Sequence, residues 1–419
     1  MGSLKIRIRN MYKTKTGAEH LRIVWICHFM NQSIKEKLEL HAATRELAPW
    51  ITLWLEEFKK KDDVELHVIT PLIPILKDID FIDGNIHYHF IKIGMPFTRR
   101  IWPWWFELDF NTGFLPFSLK TKRLVKKINP DLVNLIGAEN AYYSSSILRI
   151  KKYPRLVTIQ GFIALNNESG TGDLKMVKRR INIENKILKT LKHFGIEATW
   201  MEQYIKLVNP TAKMHWFHIP FARTEAVSIP EKSFDIVFFA RVTKMKGIED
   251  AIKAIGLIKP HNPDITMEII GHTDDSYMSF LKKMVDDLEL AKNVFFKGFI
   301  PTQEEMHFEV LKARICILPT YNDTIPGTIV ESMLLGIPVI SYKTGGIPDL
   351  NKTQENLILL DQGDIEGLAE EITKLLDDPV RQNTISQRAR SYAMAEFDNA
   401  NSTNLLIEAY RKIIREYAN

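Results

Sequence analysis

The residues best equipped for chemistry fall in two loops of the C-terminal half. In Phe238-Phe239-Ala240-Arg241-Val242-Thr243-Lys244-Met245-Lys246-Gly247 an apolar strand runs into a loop and then a helix. Arg241 and Lys246 are spaced to project toward one point near the helix N-terminus, and two cations beside a helix dipole form a clamp for a diphosphate. The plain alternative is a solvated basic loop. The second stretch, Ile317-Leu318-Pro319-Thr320-Tyr321-Asn322-Asp323-Thr324-Ile325-Pro326-Gly327-Thr328-Ile329-Val330-Glu331, repeats the strand–loop–helix pattern. Its helix should begin near Pro326 and stop at Gly336 and Pro338. Backbone N–H groups around Gly327 and Thr328 would then face a phosphate or a sugar hydroxyl. Glu331, one to two turns in, could accept two hydrogen bonds from a vicinal diol. Alternatively, Asp323 or Thr324 only caps the helix and Glu331 is a surface residue.

These loops need strands to hold them. Short Val- and Ile-rich runs recur at Arg22–Cys27, Val64–Thr70, Ile86–Lys92, Asp131–Ile136, Arg155–Gln160 and Lys213–His218, then at Phe234–Ala240, Ile265–Ile270, Asn293–Phe296, Arg314–Leu318, Pro338–Tyr342 and Leu357–Leu360. Most read as strands buried on both faces of a parallel sheet; the alternation of His87–Lys92 suggests an edge. Between the runs lie helical segments, such as the one with Ile248, Ala251, Ile252 and Ile255 on one face. Strand–helix alternation carried through twice implies an α/β protein of two doubly wound domains. The boundary is expected within Phe221–Lys232, giving domains 1–225 and 226–400. A last helix, 401–419, could return to the first domain. Ligands of such sheets sit beyond the carboxyl ends of the strands, where both loops lie.

The chain has 419 residues, 45% hydrophobic and 26% charged, the balance of a folded protein rather than a disordered or fibrous one. Two cysteines, Cys27 and Cys316, cannot build a disulfide framework and suggest a reducing compartment. No apolar run approaches the roughly 20 residues of a membrane span. The N-terminus has no signal-peptide core, and Ile6 stands where a myristoylation motif has Ser or Thr. A soluble, cytoplasmic protein is expected. Net charge is +5, but residues 1–230 hold 35 Lys and Arg against 22 Asp and Glu (+13), while residues 231–419 hold 21 against 29 (−8). The two halves should face different partners.

Four ordered features carry a family resemblance: the Arg–x4–Lys-Gly loop, the Asp–x7–Glu pair, the Gly336-Ile337-Pro338-Val339-Ile340 strand and Thr344-Gly345-Gly346-Ile347-Pro348-Asp349. Together, over residues 234–350, the chain resembles retaining glycosyltransferase family 4, of the GT-B fold and the bacterial surface-polysaccharide type. The resemblance implies two Rossmann-like domains facing a central cleft. Arg241 and Lys246 would hold the donor diphosphate, and Glu331 the ribose hydroxyls. Asp323 would contact the donor sugar, where the family's acid is usually Glu. Thr324 and the backbone near Gly327 and Thr328 would meet phosphates or hexose, and Gly298, Phe299 and Ile300 the base. In such a transfer a leaving phosphate oxygen can take the acceptor proton, so no enzymic base, cofactor or metal is required. The tripeptide Asp78-Ile79-Asp80 is the sort of metal signal that chance supplies, and histidine and cysteine spacings offer no zinc site.

The first half departs from the family. Many relatives have a His after the strand Arg155–Gln160; here Gln160 and Gly161 stand there, and an amide cannot act as a general base. The loop after the first strand lacks glycine but has His28, which could stand near the acceptor or be an ordinary structural histidine. The segment Pro96–Phe106, with Trp102, Trp104 and Trp105 among two arginines, precedes a helix crowded with Lys120, Lys122, Arg123, Lys126 and Lys127, and Lys175–Arg180 adds four cations. Aromatic and basic residues together suit an anionic membrane surface, which would make the protein peripheral at its inner face. Equally, the tryptophans could fill a core or wall a cleft. No nucleic-acid module accompanies the charge. The expected activity is transfer of a hexose from a nucleotide diphosphate sugar to a saccharide or lipid-linked saccharide. A donor-binding, non-catalytic subunit of a polysaccharide assembly complex and a nucleotide-sugar epimerase are the alternatives.

Overall fold

The computed structural model describes residues 20–40, 48–103, 105–106, 108–165, 174–222 and 230–418. Trp104 and most of the Phe221–Lys232 stretch lie outside these. The chain divides into two compact units: residues 1–196, 204–219 and 399–419, and residues 197–203 and 220–398.

The first unit is built on eight strands: β1 (Leu21–Ile26), β2 (Val64–Leu72), β3 (Ile79–Asp83), β4 (Ile86–Lys92), β5 (Leu132–Ile136), β6 (Arg155–Thr158), β7 (His193–Ile196) and β8 (Lys213–Trp216). Their order is β3-β4-β2-β1-β5-β6-β7-β8, and all pairs are parallel except β3 with β4. The central strands are almost continuously apolar because helices cover both faces. Two strands escaped the sequence reading. β3 has the mixed pattern Ile-Asp-Phe-Ile-Asp, and β7 is four residues containing His193 and Gly195; neither shows a clean apolar run. β4 is therefore not an edge: β3 covers it, and its alternation reflects a face filled by histidines instead. Asp78 and Asp80 have structural partners. Asp78 binds the Lys92 amide (2.8 Å) and Lys120 Nζ (2.9 Å), and Asp80 binds His89 Nδ1 (2.8 Å).

The helix Asn399–Ala418 belongs to this first unit. Leu406, Ile407, Tyr410 and Ile413 are buried in the same core as Trp25, Trp54 and Phe58, each burial being worth roughly 1.5–3 kcal/mol. The Tyr410 hydroxyl accepts from Trp25 Nε1 at 2.8 Å and Asn134 Nδ2 at 2.9 Å, tying the helix to β1 and β5. Arg411 pairs with Asp63, and the Ser402 hydroxyl donates to the His218 carbonyl.

The second unit has six parallel strands: β9 (Phe234–Phe239), β10 (Met267–Ile270), β11 (Val294–Gly298), β12 (Ala313–Leu318), β13 (Val339–Tyr342) and β14 (Ile358–Leu360), in the order β11-β10-β9-β12-β13-β14. The helix Ile248–Ile258 buries Ile248, Ala251, Ile252 and Ile255, the face read from the sequence. The fold class is thus two Rossmann-like parallel-sheet units. Tyr410→Phe removes the acceptor of two buried donors, so thermal or urea unfolding should show a loss of about 1–3 kcal/mol; an unchanged unfolding midpoint would refute this role for the hydroxyl.

Candidate active site

In the second unit the strand order reverses between β9 and β12, with β10 and β11 on one side and β13 and β14 on the other. Such a reversal sends the connections to opposite faces and opens a crevice beyond the carboxyl ends. The loops leaving β9 and β12 are the two that carry the candidate residues, and they are bonded to each other. The Tyr321 amide donates to the Met245 carbonyl at 2.8 Å, and the Thr320 hydroxyl to the same oxygen at 3.2 Å. Gly247 has φ +79°, and a Cβ there would fall on the Pro319 carbonyl. That glycine lets the β9 loop close onto the β12 loop before the helix Ile248–Ile258 begins.

Lys246, at the end of the 3₁₀ turn Lys244–Lys246, directs its ammonium to Asp323 Oδ2 at 2.5 Å. The Thr320 hydroxyl reaches the same carboxylate oxygen at 3.2 Å. Both charged side chains are largely shielded, 14% and 16% exposed. The loop after β13 supports Asp323 from below. The Thr344 hydroxyl donates to the Thr320 carbonyl (2.7 Å) and the Gly346 amide to the Thr324 carbonyl (2.6 Å), while Gly345, at φ +53°, approaches the Asp323 carbonyl where a side chain would collide. The Thr-Gly-Gly sequence therefore serves as a platform for the acidic loop. Gln362 Nε2 donates to the Thr344 hydroxyl at 2.7 Å and completes the support.

The helix Gly327–Leu335 starts at the Pro326 cap with no side-chain capping bond. The Asp323 carboxylate is engaged by Lys246 and the Thr320 hydroxyl. The amides of Gly327 and Thr328 precede the first intrahelical hydrogen bond and open toward the helix N-terminus. The Thr328 hydroxyl is committed to the Phe239 carbonyl at 2.7 Å, leaving its backbone as the group that can meet a ligand. Gln303 Nε2 donates to Glu331 Oε1 at 3.1 Å, and His307 Nε2 lies 3.4 Å from Oε2. The sequence reading did not anticipate Gln303 or His307; their only signal is i, i+4 spacing on the helix Gln303–Val310. Gly298 is held by the Gly271 amide (2.9 Å), Val242 donates to the His272 carbonyl (3.0 Å), and the exposed Phe299 ring meets the His272 ring edge-on at 5.9 Å. The Gly298–Ile300 segment therefore joins the same end of the sheet as exposed Arg241. Arg241, Lys246, Asp323 and Glu331 balance in formal charge, so a diphosphate would rely on the backbone amides as well as on the cations.

The first unit has its own reversal, between β1 and β5. His28 follows β1 there, its ring 6.3 Å from that of Tyr143, and desolvation lowers its pKa from the usual imidazole range. Gln160 and Gly161 follow β6 and are half-buried. Two carboxylates absent from the sequence reading lie nearby in the chain fold. Glu184, fully buried on the helix Leu174–Thr190, accepts from the Ile163 (3.0 Å) and Ala164 (3.3 Å) amides. Desolvation pushes its pKa up to about 7, against the lowering effect of those amides; the charge of Glu139 adds to the rise and Arg180 opposes it. Burial likewise raises Glu139, whose Oε2 has no hydrogen-bond partner among the described residues.

Residues 222–392 match the family model "Glycosyl transferases group 1". That segment holds every candidate residue of the second unit. Among curated relatives, the chain is 24% identical over 187 residues to a 2-deoxystreptamine glucosyltransferase of Streptomyces kanamyceticus, covering 44% of this chain and 48% of the relative. It is 25% identical over 255 residues to a poly(glycerol-phosphate) alpha-glucosyltransferase of Bacillus subtilis (60% and 36%), and 29% identical over 184 residues to the amylovoran biosynthesis glycosyltransferase AmsK of Erwinia amylovora (42% and 44%). The chain thus spans less than half the length of these relatives. In fold, it is similar to sucrose-phosphate synthase from Thermosynechococcus elongatus, with a TM-score of 0.71 at 17% identity over 95% of this chain and all of that one. Anabaena HepE in complex with UDP gives 0.65 at 16% identity, covering 94% and 100%. These likenesses show the fold class, which is GT-B.

Because the Glu184 carboxyl is held protonated in the fold up to about pH 7 but only to about 4.5 ordinarily, the folded chain binds the extra proton between those values. Its contribution to stability is full below about pH 4.5 and is lost as pH rises through 7. Denaturant titrations of the native chain and of Glu184→Gln at several pH values should show that the difference between them shifts in favour of the variant across this window. A difference independent of pH would contradict a proton-holding Glu184.

Proposed function

We propose that the chain is a retaining glycosyltransferase of family 4 that moves a hexose from a nucleotide diphosphate sugar to a saccharide or lipid-linked saccharide, in surface polysaccharide assembly, with no metal at the donor site. The observation that carries this reading is the Lys246–Asp323 contact at the switch point of the second sheet, in the loop that leads to the uncapped amides of Gly327 and Thr328 and to Glu331. UDP in the HepE structure and glucosyl transfer in the names of two relatives support a nucleotide-linked hexose as donor.

The geometry suggests how the charges are used. Without donor, Asp323 neutralises Lys246. An arriving diphosphate shares the ammonium, with Arg241 and the helix N-terminus adding positive potential, and the loosened carboxylate can accept a hydroxyl of the sugar. Glu331, oriented by Gln303, accepts from the two ribose hydroxyls. As the glycosidic bond breaks, the same cations stabilise the departing diphosphate, whose oxygen takes the acceptor proton on the same face. Gln160, Gly161 and His28 would serve the acceptor by hydrogen bonding.

A thermal-shift screen of nucleoside diphosphates and their sugars should identify the donor, since binding raises the melting temperature by mass action. Lys246→Ala and Glu331→Ala should each weaken donor binding and abolish transfer. Asp323→Asn should separate the two effects: the nucleoside diphosphate binds about fivefold tighter, as loss of a partly shielded ion pair near 1 kcal/mol allows, while sugar transfer falls. Unchanged donor affinity in both alanine variants would sink the site. Binding with no release of nucleoside diphosphate would favour the non-catalytic subunit, and an isomerised sugar still attached to nucleotide would favour the epimerase.

The first unit supports a membrane-proximal acceptor. Lys122, Arg123 and Lys126 share a groove of about 1600 Å³ with Arg149, Lys151, Lys152, Lys175, Lys178, Arg179 and Lys186, and among the described residues no carboxylate lines it. Immediately before its Phe110 wall, Phe97, Ile101, Trp105 and Phe106 are exposed. Trp102 is anchored instead by its Nε1–H to Asp109 at 2.9 Å. Exposed rings beside concentrated positive charge suit an anionic headgroup layer. No helix among the described residues is long and apolar enough to cross a membrane. Vesicles containing anionic lipid should co-sediment the protein at low salt and release it at high salt, with binding reduced in Trp105→Ala; salt-insensitive or absent binding would remove the membrane from the proposal.

A further inference from the structure

One polar cluster in the first unit has no part in sugar transfer. Parallel pairing of β2 with β4 sets His67 beside His87, and antiparallel pairing of β4 with β3 sets Asp80 beside His89. Glu65 lies two residues before His67 on the same face of β2. The contacts form a chain: Asp80 Oδ1 to His89 Nδ1 at 2.8 Å, His89 Nε2 to His67 Nδ1 at 3.0 Å, and His67 Nε2 to Glu65 Oε1 at 2.9 Å. His87 Nε2 is 4.0 Å from the same Glu65 oxygen.

Counting protons exposes a conflict. Both ends of the chain are carboxylates, which only accept, so three contacts at hydrogen-bond distance need three protons. Two neutral imidazoles supply two. With both rings neutral, one of the three contacts sets lone pair against lone pair.

We propose that Glu65, His67 and His87 bind a divalent transition-metal ion of the zinc class, with His89 and Asp80 as its outer supports. The ion takes the place of the missing proton. It accepts the lone pair of His67 Nε2, so that His67 Nδ1–H donates to His89 Nε2 and His89 Nδ1–H donates to Asp80. Every contact is then satisfied, in the carboxylate–histidine–metal order that fixes ring orientation at metal centres. The ligand atoms of Glu65, His67 and His87 lie within 4.8 Å of one another. The separations of 2.9 and 4.0 Å from Glu65 Oε1 bracket the ligand spacing of about 3.3 Å that a tetrahedral ion with bonds near 2.05 Å requires. Arg22 Nε and Nη2 hold the other Glu65 oxygen at 2.9 Å, which leaves Oε1 turned to the histidines. Glu65 and His87 keep 22% and 27% of their side-chain surface exposed, enough for an ion and a completing water to enter. A second histidine pair, His193 with His215 (3.1 Å), lacks these features: Lys192, Lys213 and Lys412 surround it, and Glu416 is already bound by Lys213. The proposed site lies in the first unit and is independent of the transferase reading. Its role is to fasten β4 and the edge strand β3 to β2.

The test uses the untagged full chain, stripped with chelator and dialysed against zinc and, separately, cobalt(II). We expect one tightly held equivalent, a visible cobalt spectrum of four-coordinate intensity and a higher melting temperature. His87→Gln and Glu65→Gln should lose the ion and the spectrum while the metal-free melting temperature of His87→Gln stays that of the native chain. Asp80→Asn, at an exposed position, should weaken binding about 10- to 100-fold, and His193→Gln should leave it intact. If the native chain retains no ion, or if retention survives both ligand substitutions or is lost in His193→Gln, the site is refuted. The proton conflict would then be relieved by an imidazolium.

Discussion

The candidate active site depends on keeping a carboxylate against an ammonium in a crevice where neither is well hydrated. Asp323 is fixed by its own backbone, which Gly345 and Gly346 approach from one side, and by the Thr320 hydroxyl. Lys246 is fixed because Gly247 brings its loop onto Pro319. Three successive strand ends, β9, β12 and β13, thus converge on one ion pair. Removing water from such a pair raises the cost of leaving either partner alone, so the loops have reason to keep their spacing until another anion arrives to share the cation.

Much of this was legible in the sequence because it is local. Arg241 through Gly247, Asp323 through Glu331 and Thr344 through Asp349 each follow an apolar run, and the order of those runs is enough to locate the loops at strand ends. The buried faces of helices such as Ile248–Ile258 follow from period alone. What the sequence hid is contact between distant segments. Nothing in the spacing of Gln303 and His307 says that they lie against Glu331, and nothing in Thr344 says that its hydroxyl supports Thr320. The backbone at Thr328 could be singled out from the sequence, but not that its hydroxyl closes onto the Phe239 carbonyl.

The first unit was harder to read for the same physical reason. Its strands are short and some are half polar, so β3 and β7 gave no apolar signal. Glu139 and Glu184 come from different segments, and only the folded chain shows that burial alters their protonation. The histidines at 67, 87 and 89 are unremarkable in sequence. Strand register makes neighbours of them, and register is set by the apolar residues between them rather than by the histidines themselves.

The helix at 399–418 has a consequence for biosynthesis. Trp25 emerges from the ribosome 385 residues ahead of Tyr410, whose hydroxyl accepts its indole proton. Almost all of the second unit, being one continuous stretch from 220 to 398, can mature while the first still lacks its closing helix. Until translation reaches that helix, the apolar face around Trp25, Trp54 and Phe58 stays uncovered on the nascent chain, a window in which chaperone holdases would find a natural client.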